Sequence, residues 1–314
     1  MAEEKIYDLI IIGAGPAGLT SGIYATRAKL NTVLLERLNP GGLVASTDWV
    51  ENYPGFPKGI SGAELMKKME EQAGKFGLKI IPFKEVDSSY LKGQTKTIKV
   101  DDEEFRAKAV IIASGTEPKK LNIPGEEKFK GRGVSYCATC DGAFFQGKDV
   151  VVIGGGSSGI QEGLFLTRFV NNITVVEFMP HLNAEKILQE RAHKNPKFKF
   201  FVSHMATSIN GENQVESVTI KRWETGEEKI IEAAGIFIYV GWDPKTEFLK
   251  GQVDLDKWGY VIAGEDTKTS APGVFAAGDV REKELRQITT AVSDGTVAAF
   301  MAEKYIEEQK FPTD

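Results

Sequence analysis

Residues 7–36 read Tyr7-Asp8-Leu9-Ile10-Ile11-Ile12, then Gly13-Ala14-Gly15-Pro16-Ala17-Gly18, then a helical stretch to about Lys29, then Thr32-Val33-Leu34-Leu35-Glu36. An apolar run of strand length, a glycine turn, a helix and a second apolar run form a βαβ unit, and in that setting the three glycines are a dinucleotide-binding fingerprint. Gly13 permits the tight turn, Gly15 lets backbone approach a pyrophosphate, and Gly18 lets helix and strand pack closely. The helix N-terminus then faces the anion. Glu36 follows Gly13 by 23 residues, where a carboxylate can accept the hydroxyls of an adenosine ribose.

The same pattern returns. Asp149–Ile153 reads as a strand, Gly154-Gly155-Gly156-Ser157-Ser158-Gly159 as the turn, the next residues to about Phe169 as a helix, and Ile173–Val176 as a strand ending at Glu177. From Gly154 to Glu177 is again 23 residues. The expected fold class is therefore α/β with two Rossmann-like dinucleotide-binding domains. Further strands are expected at Lys96–Val100, Val110–Ala113, Lys199–Val202, Val215–Lys221 and Ile236–Tyr239. Gly273-Val274-Phe275-Ala276-Ala277-Gly278-Asp279 is a strand running into a glycine and a carboxylate, followed by an amphipathic helix from about Gln287 to Glu307.

The chain has only two cysteines, Cys137 and Cys140, in one Cys-Ala-Thr-Cys. A structural disulfide framework is excluded, and so is a four-thiolate zinc site unless a second chain supplies half of it. A redox pair or a loop ornament remains. A dithiol beside two dinucleotide folds favours a flavin in one and a nicotinamide in the other, because a flavin accepts a two-electron hydride and passes electrons to a disulfide. The 39 Lys and Arg against 44 Asp and Glu show no long run of one sign, so nucleic acid is not expected as a partner. The apolar stretch Ile6–Ile12 is too short to span a membrane and lacks signal-peptide flanks, so a cytoplasmic protein without membrane attachment is expected. His181, His193 and His204 have no metal-ligand spacing, and no metal is expected.

The ordered set of motifs resembles the low-molecular-weight thioredoxin reductases from the first strand to the last helix. Those that carry the resemblance are Gly13–Gly18, Glu51-Asn52-Tyr53-Pro54-Gly55-Phe56, Cys137-Ala138-Thr139-Cys140-Asp141-Gly142, the second glycine fingerprint, and Gly278-Asp279 with Arg286-Gln287. The resemblance implies an FAD-binding domain of residues 1–116 and 245–314, an inserted NAD(P)H-binding domain of 117–244 carrying the dithiol, and a homodimer. It implies Gly13 and Gly15 at the FAD pyrophosphate, Glu36 at the ribose, and Gly42, Thr47 and Asn52 toward the isoalloxazine, with Ala17 and Gly115 among the cofactor-binding residues. Gly278 and Asp279 would hold the ribityl and pyrophosphate, with Arg286 and Gln287 near the ring. The family usually reads Gly-Gly-Gln where this chain reads Gly41-Gly42-Leu43, so one flavin contact is lost or replaced.

For the dithiol, the resemblance makes Cys140 the flavin-side sulfur, Cys137 the sulfur that attacks a partner's disulfide, and Asp141 the acid/base. If Cys137 caps a helix, the positive end of the helix dipole favours its thiolate. The nucleotide side of the inserted domain is expected at Gly154, Gly156, Ser158, Gly159 and Glu177. NADPH-using thioredoxin reductases carry His-Arg-Arg and a further Arg at the end of the second strand; here stand Glu177-Phe178-Met179 and Asn183. That run resembles the NADH-using reductases of peroxiredoxin systems, so NADH is expected over NADPH, with a thioredoxin or thioredoxin-like protein as acceptor. The alternatives are a ferredoxin-dependent flavin thioredoxin reductase and a flavin redox sensor without turnover.

Overall fold

A computed structural model of the chain describes residues 6–309. The chain divides into two units, one ending at Glu117 and resuming at Asp243, the other running from Pro118 to Trp242.

In the first unit the strand Ile6–Ile12 pairs in parallel with Thr32–Leu35 on one side and with the long strand Glu103–Ile112 on the other. Its side chains alternate. Leu9 and Ile11 enter one core, Ile10 and Ile12 the other, and all four are at most 5% exposed, as period-2 geometry requires of a strand buried on both faces. Each such side chain contributes about 1.5–3 kcal/mol through burial. Helices Pro16–Arg27, Gly62–Lys75 and Ile288–Glu308 supply the first core. The first and last of these approach so closely that a Cβ on Gly295 would lie 2.3 Å from the Ala17 carbonyl oxygen.

The long strand starts earlier than its apolar residues suggest. Over 103–107 it pairs antiparallel with Lys96–Val100, and over 110–112 it pairs in parallel with Val274–Ala276, a strand contributed after the chain has returned from the second unit. Its apolar pattern marks only the end of the strand, because Glu103-Glu104-Phe105-Arg106 lies where the strand is half-buried or exposed.

The second unit repeats the plan with a five-stranded parallel sheet in which Val150–Ile153 lies between Ile173–Val176 and Gly235–Ile238. Val150 and Val152 face helices Ser157–Leu166 and Lys186–Lys194. Val151 and Ile153 face a three-stranded antiparallel sheet of His204–Asn210, Ser217–Arg222 and Glu228–Glu232. Among the described residues no helix is long and apolar enough to cross a membrane.

Candidate functional site

Both glycine turns are built alike. Gly13 and Gly154 take φ of +103° and +113°, and a Cβ there would strike the carbonyl oxygens of Ala113 and Tyr239 at 2.3 and 2.1 Å. A Cβ on Gly18 or Gly159 would reach the Gly13 or Gly154 oxygen at 1.8 or 2.1 Å. These four glycines answer to packing. Gly15 and Gly156 differ: nothing lies within 4 Å of where their Cβ would be, and each is the N-cap of a helix with no side chain capping it. Two helix N-termini thus present uncapped N–H groups beside open space, the setting that binds a phosphate.

The carboxylates at the strand ends are held alike as well. Glu36 Oε2 accepts the Ala14 N–H at 2.7 Å and Oε1 accepts the Leu38 N–H at 2.9 Å. Glu177 Oε2 accepts the Gly155 N–H at 2.5 Å and Oε1 the Met179 N–H at 2.8 Å. Each acid is drawn onto its own glycine turn. From Glu177 to Glu185 the chain contains no Lys or Arg.

Around the first turn the structure brings together residues distant in sequence. A Cβ on Gly42 would lie 3.2 Å from Gly15 Cα, and one on Gly278 would lie 2.9 Å from the Ala17 methyl. Asn52 Nδ2 donates to Gln287 Oε1 at 3.1 Å, and Gln287 also closes a capping box with Thr290 at the start of the last helix. Thr47 ends a short 3-10 turn, and its carbonyl accepts the Gly62 N–H at 3.0 Å. The Gly115 carbonyl accepts the Lys245 N–H at 3.1 Å. Arg286 lies over the Tyr260 ring at 4.1 Å and donates to the Asp279 carbonyl at 3.4 Å. Asp279 Oδ1 is buried with no hydrogen-bond partner. Burial pushes the Asp279 carboxyl up from its ordinary value, opposed by the cations Lys283 and Arg286.

One residue outside the sequence reading organises this turn. Asp294 Oδ2 accepts the Gly278 N–H at 3.0 Å and the Lys283 ammonium at 2.9 Å, while Oδ1 takes Arg281 at 2.7 Å. A carboxylate seven residues into a helix carries no sequence signal of such a role.

In the second unit Cys137 and Cys140 are joined as a disulfide, with Cα atoms 5.3 Å apart. Cys137 is the N-cap of the one-turn helix Ala138–Asp141, and its Sγ accepts the Cys140 N–H at 3.2 Å with Thr139 Oγ1 at 3.3 Å. Cys137 is half-buried and Cys140 exposed. Ser135 donates to Asp141 Oδ2 at 2.6 Å and accepts the Cys137 N–H at 3.0 Å. The Tyr239 hydroxyl accepts the Ala138 N–H at 2.9 Å, and burial holds that phenol protonated far above its ordinary range. Just before the dithiol, the Tyr136 hydroxyl donates to buried Glu126 at 2.6 Å. Ser158 lies in the first turn of the helix capped by Gly156.

A family model described as pyridine nucleotide-disulphide oxidoreductase matches residues 7–295. The chain belongs to that family. Within this oxidoreductase family it is 47% identical over 309 residues to a thioredoxin reductase of Bacillus subtilis (strain 168), covering 98% of this chain and 97% of the relative. It is 48% identical over 306 residues to a 34.2 kDa protein in the rubredoxin operon of Clostridium pasteurianum, covering 98% and 99%. The crystal structure of Lactococcus lactis thioredoxin reductase in its FR conformation superposes with a TM-score of 0.94 at 44% identity, over 96% of this chain and all of that one.

Membership implies FAD and a nicotinamide nucleotide, and the residues fit both. The first unit offers an uncapped helix N-terminus, an open face at Gly15 and an orphaned buried oxygen on Asp279. The second offers the same turn at Gly156 with a carboxylate in place.

Proposed function

We propose that the protein is a thioredoxin-disulfide reductase that takes electrons from NADH and delivers them through Cys137 and Cys140 to a thioredoxin or thioredoxin-like carrier. FAD, when bound, supplies the two-electron relay between nicotinamide and disulfide. Gly13, Gly15, Ala17, Gly278 and Asp279 would hold its pyrophosphate and ribityl, Glu36 its ribose, and Gly42, Thr47, Asn52, Gly115, Arg286 and Gln287 its ring side. Gly154, Gly156, Ser158, Gly159 and Glu177 would hold NADH. The FAD-binding domain in this proposal is the discontinuous first unit and the NADH-binding domain the inserted one. Homodimer assembly enters from the family resemblance.

With the pair reduced by two electrons and two protons, the Cys137 thiolate attacks one carrier sulfur. A Cys137–carrier disulfide forms and the carrier's other sulfur leaves, taking a proton. Cys140 then attacks Cys137, restores the internal disulfide and releases the carrier dithiol. The N–H of Cys140 pointing at the Cys137 sulfur supports Cys137 as attacker, since a donor there favours thiolate over thiol. Asp141 is the proposed proton carrier for the sulfurs, with Ser135 fixing its position.

The observation that carries NADH is the equivalence of Glu177 and Glu36. A carboxylate drawn onto the turn accepts ribose hydroxyls and repels a 2′-phosphate, and no cation of the Glu177–Glu185 run offsets it. The kcat/KM for NADH is expected to exceed that for NADPH by at least ~10-fold, about 1.4 kcal/mol of differential stabilisation. Glu177→Arg should narrow or reverse the ratio. Equal use of both nucleotides overturns the charge argument, and flavin reduction by reduced ferredoxin alone would replace the donor.

A further inference from the structure

The turn that follows Glu177 is tied down at nearly every backbone group. Glu177 N–H donates to the Phe201 carbonyl at 2.9 Å, His204 N–H to the Glu177 carbonyl at 3.0 Å, and Ser203 N–H to the Met179 carbonyl at 2.9 Å. The remaining carbonyl, that of Phe178, accepts a side-chain donor instead, Trp223 Nε1–H at 3.1 Å. Trp223 follows the strand Ser217–Arg222, and its own N–H returns to the Ser203 carbonyl at 3.2 Å. Ser203 is buried and takes a φ of +58°, which bends the chain so that it reaches both partners.

The rings of Phe178 and Trp223 lie 6.1 Å apart with planes inclined at 32°. Phe178 is 54% exposed and Trp223 48%. Their half-exposed rings offer flat apolar faces, and these two adjoin a carboxylate that the proposed function gives to an adenosine ribose.

We infer that Trp223 is a further binding residue for the nucleotide donor, forming with Phe178 an aromatic seat for adenine beside Glu177. This rests on the NADH reading. The indole ring supplies a stacking face, and its N–H fixes the Phe178 carbonyl and so the turn from which Phe178 and Glu177 project. An apolar wall also provides neither a cation nor a hydrogen bond to a 2′-phosphate, so it acts in the same direction as the Glu177 charge.

The test uses the flavin-loaded enzyme and two fragments that carry no hydride, ADP-ribose and 2′-phospho-ADP-ribose, with affinities measured by calorimetry. Wild type is expected to prefer ADP-ribose. Trp223→Ala should weaken ADP-ribose by about 10-fold, within the range for losing one base-aromatic stack, and the loss should appear in the KM for NADH and not in kcat. Trp223→Phe keeps a ring without the N–H and should fall between. ADP-ribose affinity in Trp223→Ala within about twofold of wild type overturns the inference. Should that variant lose its flavin spectrum or its thermal transition, Trp223→Phe and Phe178→Ala decide by the same measurement, unchanged affinity in both being the refuting result. A wild type that binds both fragments equally refutes the NADH reading, while the effect of Trp223→Ala on ADP-ribose still judges the seat.

Discussion

Ser135 and Asp141 close a loop around the dithiol: the Ser135 hydroxyl gives its hydrogen to Asp141 Oδ2 at 2.6 Å, and its oxygen receives the Cys137 N–H at 3.0 Å. A carboxylate two hydrogen bonds removed from the backbone of Cys137 is well placed to accompany proton movement at the pair. Asp141→Asn is expected to slow thioredoxin reduction by about 100-fold, the lower end for a general acid–base group, while flavin reduction by NADH keeps its rate. Ser135→Ala should cost only about 10-fold by loosening the carboxylate. Rapid-mixing absorbance separates the two half-reactions, and equal slowing of both in Asp141→Asn would remove Asp141 from the proton path.

Cys137→Ser and Cys140→Ser should each abolish reduction of the carrier and leave FAD bound and reducible by NADH. They should differ toward a single-cysteine carrier activated as its thionitrobenzoate disulfide. Reduced Cys140→Ser is expected to form a stable mixed disulfide through Cys137, visible by mass spectrometry. Rapid trapping by Cys137→Ser with none by Cys140→Ser would exchange the roles of the sulfurs.

Gly15 and Gly18 make a discriminating pair. Gly18→Ala puts a methyl 1.8 Å from the Gly13 oxygen and should destabilise the protein even without flavin. Gly15→Ala meets nothing within 4 Å, so the flavin-free protein should melt within about 2 °C of wild type, whereas FAD affinity falls about 10-fold or more. Flavin fluorescence titration and thermal melts of stripped protein check this. An unchanged FAD affinity in Gly15→Ala would take the pyrophosphate away from this turn.

Lys96 is 1% exposed on the strand Lys96–Val100, and its ammonium donates to the Gly93 carbonyl. Burial lowers its pKa from the ordinary lysine value. The folded protein therefore sheds this proton before the unfolded chain does, and between the two pKa values the unfolded state holds more protons, so stability rises with pH through that window. Lys96→Met should be more stable than wild type near neutral pH, a gain that shrinks as pH approaches 10.5. Melting curves at pH 7 and pH 10 test the sign; a variant less stable than wild type at pH 7 contradicts it.

Much of this architecture is legible in the chain. Thr32–Leu35, Lys96–Val100 and Ile173–Val176 have the bounds that the sequence predicts, because apolar or alternating runs between glycine-rich turns leave little choice. Helix Gly62–Lys75 lies outside the sequence expectations although Ser61 and Glu64 spell its N-cap and Leu65, Met66, Met69 and Ala73 its buried stripe. His204–Asn210 was harder, being largely polar and carrying an irregularity between Ala206 and Ser208. His204 is half-buried in that strand with its ring nitrogen 2.6 Å from the Val202 carbonyl. The glycine turns, the two acids and the dithiol are local signals. Ser135, Asp294 and Trp223 act through partners that only the folded chain brings near, and no local pattern announces them.

The parallel edge strand Val274–Ala276 and the Gly278-Asp279 turn arrive only after residues 118–242 have been made. During synthesis the inserted unit is complete, and free to close its five-stranded sheet, while the first unit still waits for residues 243–314. At about 5–20 residues per second that wait is several seconds. The apolar end of the long strand Glu103–Ile112 meanwhile has only Ile6–Ile12 beside it and lacks Val274–Ala276, so the unit that begins the chain is the last to finish folding. A chain truncated within residues 243–277 and released should therefore display the dithiol unit folded and the first unit still without the strand and turn that the proposed flavin site needs.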